Sequence, residues 1–504
     1  MVDPRRTESA AFGDLWLGID VGTDIALSNS IAREIIANGL QHRAFIDHAT
    51  EGYAEYAASV EDWTLERGEA VTGVPASVIQ EVAHTYATVE KAMICWTLGI
   101  TEHHNAVDNV LSLINLGLLT GHVGTYGSGL NPLRGQNNVQ GGGDMGAIPN
   151  KLAGFQDIEQ DQEARARFEA AWGREIRPRS GWHLTDMFAA MERGELTAVY
   201  CIGENPVSSE ADAIHAKKLL ENLDSLIVQD IFMTKTAEIA DVVFPAANSA
   251  FESEGTVTNS ERRVQRVRKA LEPPGEARDD IWILSELAKR LGYDWGQPTA
   301  LDAWEELRSL SPMHAGMSWE RLEALGGIQW PCPDEDHPGT RYLHARLWAQ
   351  DPVEQGRKAP FSVVIDEPPV DELSDDYPIR LTTGRRLDSY NTGVQTGAYT
   401  SPLRRPEEIE ISAHDAADLG VIEGEEVVVS SRRGEIVAPV HVSAALRPGL
   451  AFMTFHFPEQ VETNRLTIEA TDPKSGTAEF KATAIRIDKR PAGAPAVVTG
   501  GGRG

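Results

Sequence analysis

Residues Ala198 to Asp230 read AVYCIGENPVSSEADAIHAKKLLENLDSLIVQD, and the succession of textures in this stretch decides the fold. An apolar run with strand character, Ala198 to Ile202, gives way to a polar turn, GENP. A helical pattern follows from about Glu210 to Leu220, then a second apolar run, Leu226 to Val228. A further short strand is expected at Val242 to Phe244. Strand, crossover helix and strand make up the repeating unit of a parallel sheet. Open sheets of this kind bind ligands at the carboxyl ends of their strands, so GENP and the pair Gln229-Asp230 fall where a ligand would be met.

The alternation extends outward in both directions. Asp24 is placed to cap a helix through Ile31 and Ile35 that stops at Gly39, and Ser59 with Asp62 has the capping-box spacing of another. Pro75 suits the first turn of a helix carrying Val78, Val82 and Ala83. Ala92 to Trp96 reads as a buried strand, and Val107 to Leu119 as an apolar helix ending at Gly121. Asp279 and Asp280 lead one more helix, while Gln297 to Pro369 is rich in Trp, Pro and charge without a clear period. From Pro378 the texture changes to short alternating runs, EEVVVSS, GEIVAPVHV and LAFMTFHF, divided by turns at Gly424, Arg433-Gly434 and Pro448-Gly449, which predicts a compact β-barrel. The expected architecture is therefore an α/β protein. A doubly wound, mostly parallel sheet region occupies 1–296, a connecting segment 297–377 and a β-barrel 378–488; a Gly- and Pro-rich disordered tail covers 489–504.

At 504 residues and 41% hydrophobic content the chain can bury more than one core. Lys plus Arg less Asp plus Glu, 46 − 76 = −30, gives a field that repels nucleic acid and anionic lipid. The three cysteines, Cys95, Cys201 and Cys332, form no CxxC pair, so no zinc or iron-sulfur set is legible and no metal ligand is assigned. Cys95 and Cys201 sit in apolar runs and read as inert buried thiols. No stretch reads as a transmembrane span, and no apolar region follows Arg5-Arg6 to complete a twin-arginine signal, so the expected location is the cytoplasm.

Candidate chemistry concentrates in a few segments. Asn131 to Gly146, NPLRGQNNVQGGGDMG, combines glycines, side-chain amides and one cation, as suits a backbone laid against a large polar ligand. Arg134 is its single fixed charge and the candidate anion clamp, with Gly135 and Gln136 beside it. Gly203 to Ser209, leading into a helix, supplies backbone N–H groups for phosphate, and Asn205 and Ser209 add side-chain partners. Gln229 and Asp230 could meet a guanine or ribose edge. In the barrel region Thr382, Thr383, Gly384 and Arg385 form a turn from which an arginine could reach a diphosphate. His103-His104 lacks a third metal ligand and reads as solvated or supporting groups, and His456 as a packed barrel residue rather than a base.

The glycine- and amide-rich loop, with CIGENPVSSE, VQDIFMTKTAEIADVVFPA (Val228 to Ala246) and LTTGRRLDSYNTG (Leu381 to Gly393), resembles the molybdenum bis(pyranopterin guanine dinucleotide) oxidoreductases. Within that family the resemblance is to the formate dehydrogenase large subunit, and it covers almost the whole chain in order and spacing. It implies that Asn205, Ser209 and Gln229 contact one dinucleotide. It implies that Arg385, Tyr390, Asn391, Asn464 and Lys481 contact the other, with Ser389 standing where relatives often carry His. Glu102 falls in a segment that approaches the active site. Arg134 would hold formate by its carboxylate so that the C–H faces the metal, molybdenum or tungsten. Family members carry an iron-sulfur domain and the metal's Cys or selenocysteine ligand upstream of the VDPRRTE segment. The chain is therefore expected to be the C-terminal portion of such a subunit, working with an N-terminal half or with electron-transfer subunits. The alternatives are another molybdopterin oxidoreductase, nitrate reductase-like for example, and a non-catalytic scaffold of this fold. An intact anion clamp speaks against the scaffold.

Overall fold

The computed structural model describes residues 1–344, 358–389, 391–392 and 405–491. They fall into two compact units that do not follow chain order. The first comprises Met1–Leu130, Asn205–Asn222 and His344–Gly504, and the second Asn131–Glu204 and Leu223–Leu343. The helices Ala300–Leu310 and Trp319–Leu325 belong to the second unit.

The first unit has a helical layer and a barrel. The helix Asp24–Ala37 is buried on nearly every side, with Ala26, Leu27, Ile31, Ala32 and Ile35 in a core shared with Tyr56, Ile79, Leu118 and Leu119. Thr23, not Asp24, is its N-cap residue, and Asp24 occupies the first helical position, where the helix dipole favours a carboxylate. Ser59 closes the helix Tyr53–Ser59 instead of opening the next one, because its hydroxyl turns back onto the Tyr56 carbonyl at 2.7 Å. Thr64 caps the following helix, Leu65–Thr72, by accepting the Arg67 N–H. The apolar helix Ala106–Thr120 ends at Gly121, whose φ of 71° is the left-handed terminus anticipated there.

The barrel is closed by six strands in the order Ile379–Thr383, Leu450–Met453, Ile409–Ile411, Glu435–Val442, Glu426–Ser430 and Thr483–Lys489. Period-two alternation sends Val427, Val429, Ile436 and Ala438 inward, and closure leaves no edge strand among the six. The helical layer is tied to it by Arg447 on Asp20 at 2.7 Å and by the Val107 N–H on Asp472 at 3.1 Å.

In the second unit, Ala198–Ile202, Ser225–Asp230 and Val242–Pro245 form a parallel sheet with the middle segment at its centre. A separate antiparallel hairpin pairs Gly255–Thr258 with Arg263–Val267. It packs with Trp304, Leu307, Leu322 and Trp330. The helix Ala300–Leu310 opens with a reciprocal capping box between Thr299 and Asp302. No helix among the described residues is long and apolar enough to cross a membrane.

Candidate functional site

The Arg134 loop lies wholly in the second unit. Arg134 is exposed, its backbone N–H donates to Ser260 Oγ at 3.1 Å, and its guanidinium makes no hydrogen bond or ion pair with any described residue. Gly135 is exposed and Gln136 half-buried. Asn138 adopts the left-handed conformation (φ 67°) just before the short helix Val139–Asp144, and its Oδ1 accepts the Thr258 N–H at 3.0 Å. A Cβ on Gly141 would lie 1.9 Å from that oxygen, so this glycine is demanded by close approach. Each glycine inside a helix costs about 1 kcal/mol relative to alanine, so fit rather than helix propensity explains the run. The far end is fixed by Asp144, which is 1% exposed and accepts from Gln140 Nε2 and Trp330 Nε1, each at 3.2 Å.

At the sheet's carboxyl end, Gly203 is exposed, left-handed at φ 65°, and donates its N–H to the Gln229 carbonyl at 2.8 Å. Gln229 differs from the sequence reading. Its side chain is fully buried, bonded through Oε1 to the Tyr200 hydroxyl and through Nε2 to Asp280 at 2.5 Å, so the amide serves the packing of the sheet. It breaks the period of its strand, being buried directly after the buried Val228. Asp230 remains half-buried at the strand end, its Oδ1 accepts the Phe232 N–H at 2.9 Å, and burial raises its carboxyl above the usual range. Cys201 is buried, and burial pushes its thiol up to about 12, which fits the inert role expected of it.

The first unit gathers the remaining candidates. Thr383 Oγ1 donates to the Phe480 carbonyl at 2.7 Å, and a Cβ on Gly384 would approach the Phe452 ring to 2.9 Å, so the turn is tight and Arg385 emerges exposed from it. Its guanidinium carbon lies 5.7 Å from the centroid of the Phe455 ring. Asn391 has φ 44°, and its carbonyl accepts from His456 Nδ1 at 2.6 Å, while His456 Nε2 accepts the Arg386 N–H at 2.9 Å. That pair of bonds requires neutral imidazole, and burial lowers its pKa further, so His456 braces the barrel as expected. Tyr390 lies outside the described residues.

Asn464 meets the segment that carries Asn205 and Ser209. Its Nδ2 donates to the carbonyls of Ser208 at 3.1 Å and Ser209 at 3.3 Å, and the Asn205 carbonyl accepts the N–H groups of both serines. Asn464 Oδ1 and Ser208 Oγ are left buried and without a partner among the described residues. Such orphans carry a desolvation cost unless a ligand meets them, and an amide oxygen suits the N–H donors of a guanine. These two orphaned atoms suit a ligand that brings its own hydrogen-bond donors. Ser208 is the member that sequence reasoning missed, since one serine in SS looks like the other.

Lys481, which the resemblance places at the other dinucleotide, has its ammonium 2.7 Å from Glu102 and donates to the Thr383 carbonyl at 3.0 Å. His103 and His104 are supporting groups rather than solvated ones. They lie in the turn after the helix Leu98–Thr101 rather than on a helix, which lets both imidazoles reach the fully buried Glu479, at 3.3 and 3.4 Å. Burial alone would raise Glu479, but the two histidines and the His104 N–H hold it down to about 2. Burial opposes protonation of His103, yet Glu479 outweighs it and raises the imidazole above its ordinary 6.5. Asp212, His215 and Glu469 also converge, with ligand atoms within 4.8 Å of one another, as a helix cap and an ion pair.

The clasp on Glu479 predicts a pH signature. The depressed carboxylate contributes stability that is present above its ordinary 4.5 and lost as pH falls toward about 2. The raised His103 contributes stability that is present below 6.5 and lost as pH rises through its folded value. The difference in Tm between wild type and Glu479→Gln should therefore be largest between pH 4.5 and 6.5. In a chain of this length each kcal/mol lost should move Tm by roughly 1–2 °C. A difference independent of pH would show that the clasp does not titrate with folding.

Residues 1–290 match the family model described as molybdopterin oxidoreductase, and residues 379–484 that of the molydopterin dinucleotide binding domain. The chain is 42% identical over 499 residues to the F420-dependent formate dehydrogenase 2 subunit alpha of Methanococcus maripaludis, covering 97% of this chain and 71% of that one. It is 37% identical to formate dehydrogenase H of Escherichia coli over 492 residues, 96% of this chain and 68% of the relative. The solved structure of acetylene hydratase from Pelobacter acetylenicus superposes with a TM-score of 0.73 at 19% identity, covering 97% of this chain and 73% of that one, a likeness of fold.

Proposed function

The chain belongs to the molybdopterin oxidoreductase family, and from that premise we propose that it oxidises formate to CO2 as part of a formate dehydrogenase large subunit. The cofactor we assign is a bis(pyranopterin guanine dinucleotide) of molybdenum or tungsten. When bound, it supplies the metal centre that accepts a pair of electrons. The groups that fit a dinucleotide in the first unit are Asn464 Oδ1, Ser208 Oγ and the exposed Arg385, with Asn205 and Ser209 shaping the turn. Gly203 and Asp230 belong to the corresponding strand-end set in the second unit.

The observation that carries the reading is the Arg134 guanidinium, exposed and without a partner among the described residues, in a loop pinned at Ser260, Thr258 and Trp330. A planar fork of N–H groups takes both oxygens of a carboxylate and leaves the C–H of formate free to react. Oxidation removes one proton and an electron pair and turns a bound anion into neutral CO2, so the grip of Arg134 weakens as product forms. Its contribution is therefore orientation of the substrate more than stabilisation of developing charge. Electrons are passed on to groups outside these residues, because Cys95, Cys201 and Cys332 are dispersed and two of them are buried. The enzyme purified with its co-purifying subunits from molybdate-supplied cells should couple formate oxidation to reduction of a viologen dye, with CO2 as product. Pterin-loaded enzyme inert to formate but active on another oxyanion or hydroxylated substrate would overturn the assignment.

A further inference from the structure

We propose that Ser260, at the tip of the hairpin Gly255–Thr258/Arg263–Val267, is a positioning residue that pre-organises Arg134 for its anion. The proposal rests on the reading of Arg134 as the formate clamp and assigns a role to a segment that carried no functional expectation from sequence.

The tip is built as a rigid mount. Asn259 Oδ1 accepts the N–H groups of Glu261 at 3.1 Å and Arg263 at 3.0 Å, closing the turn from within. Arg262 holds the left-handed conformation at φ 65°, and its guanidinium bonds the carbonyls of Trp330 and, at 3.1 Å, Thr340. With Asn259 closing the turn, the Ser260 hydroxyl is available for an external task, and at 3.1 Å it accepts the main-chain N–H of Arg134 itself. The same hairpin donates the Thr258 N–H to Asn138 Oδ1 at 3.0 Å, so the loop is held both at the arginine and a turn beyond it. Thr258 is 3% exposed, which makes that second anchor a dry one. The Arg134 guanidinium makes no hydrogen bond or ion pair with a described residue, so its aim depends on its backbone.

A loop that is already ordered binds its anion without an ordering cost, and that saving is the same for bound substrate and transition state. Loss of the Ser260 hydroxyl should therefore raise KM for formate and leave kcat nearly unchanged. In the complete enzyme, Ser260→Ala should raise KM roughly three- to tenfold, the effect of one modest hydrogen bond. It should also speed hydrogen exchange at the Arg134 amide, while Ser260→Thr, which keeps an acceptor, stays near wild type in both. KM and exchange unchanged in Ser260→Ala, while Arg134→Lys loses activity, would overturn the positioning role and leave the formate reading standing. A joint fall in kcat, cofactor content and Tm in Ser260→Ala would make the residue merely structural and overturn the proposal as well. An Arg134→Lys enzyme with wild-type kinetics would remove the formate reading and this inference together.

Discussion

Arg134→Lys in the complete enzyme should lower kcat/KM for formate by about tenfold or more, equivalent to ~1.4 kcal/mol or more of transition-state binding. Arg134→Ala should lower it by roughly a hundredfold or more, since both charge-assisted bonds to the carboxylate go. The two substitutions separate charge from geometry. Lysine keeps the positive charge but presents a compact ammonium in place of a planar fork, so it can attract formate without fixing the direction of the C–H bond. The loss in the lysine variant should therefore fall largely on kcat, whereas the alanine variant should lose KM as well. Neither should disturb folding, because Arg134 is exposed, its guanidinium makes no hydrogen bond or ion pair with a described residue, and its backbone bond to Ser260 survives any change of side chain except to proline. Metal and pterin content measured beside the kinetics make the test decisive. Full loading with unaltered kcat/KM for formate in Arg134→Lys would take this arginine out of the active site.

Local pattern carried much of the fold and tertiary pairing withheld the rest. The strand Ala198–Ile202, the Gly121 helix terminus and the barrel strands follow from period, turn residues and capping, all of which act over a few residues. The Thr299–Asp302 capping box and the apolar series Trp304, Leu307 and Leu310 have the same local signature, but the surrounding Trp- and Pro-rich sequence masks its period. Ser59 and Thr64 show the opposite difficulty: both are plausible caps, and only the hydroxyl's turn back onto Tyr56 decides against the first. Interleaving of the units has no local signal, since Asn205–Asn222 leaves its neighbours in sequence to join residues far along the chain. The same is true in the site. Arg134 and Arg385 were legible as cations in glycine turns, and both are exposed. Gln229 looked like a strand-end reader, but its amide is buried against Tyr200 and Asp280. Glu102 on Lys481 and Glu479 between two histidines join residues hundreds of positions apart, with nothing in either segment to announce the other.

Removing the cations assigned to the phosphates of the second dinucleotide should cost the protein its cofactor. Arg385→Ala with Lys481→Ala should leave a small fraction of the wild-type guanine nucleotide to be released on acid denaturation, because each charge-assisted contact to phosphate is worth about 1.5 to 3 kcal/mol. The single variants should not be equivalent. Arg385 is exposed and borders only the Phe455 ring among its described ring contacts, so its loss falls mainly on the ligand. Lys481 is already 2.7 Å from Glu102, and its removal strands a largely buried carboxylate and the Thr383 carbonyl. A fall in stability on Lys481→Ala alone would thus be ambiguous. Glu102→Gln placed in the same chain resolves it: the neutral amide relieves the stranded charge, so stability should recover while nucleotide content stays low. Conversely, Glu102→Gln with Lys481 intact frees the ammonium for phosphate and should hold nucleotide at least as well as wild type. Recovery of nucleotide together with stability in the Glu102→Gln/Lys481→Ala protein would confine Lys481 to the fold. Wild type that releases no guanine nucleotide, or a double variant that releases as much as wild type, would remove the dinucleotide from the barrel and bring the non-catalytic scaffold forward.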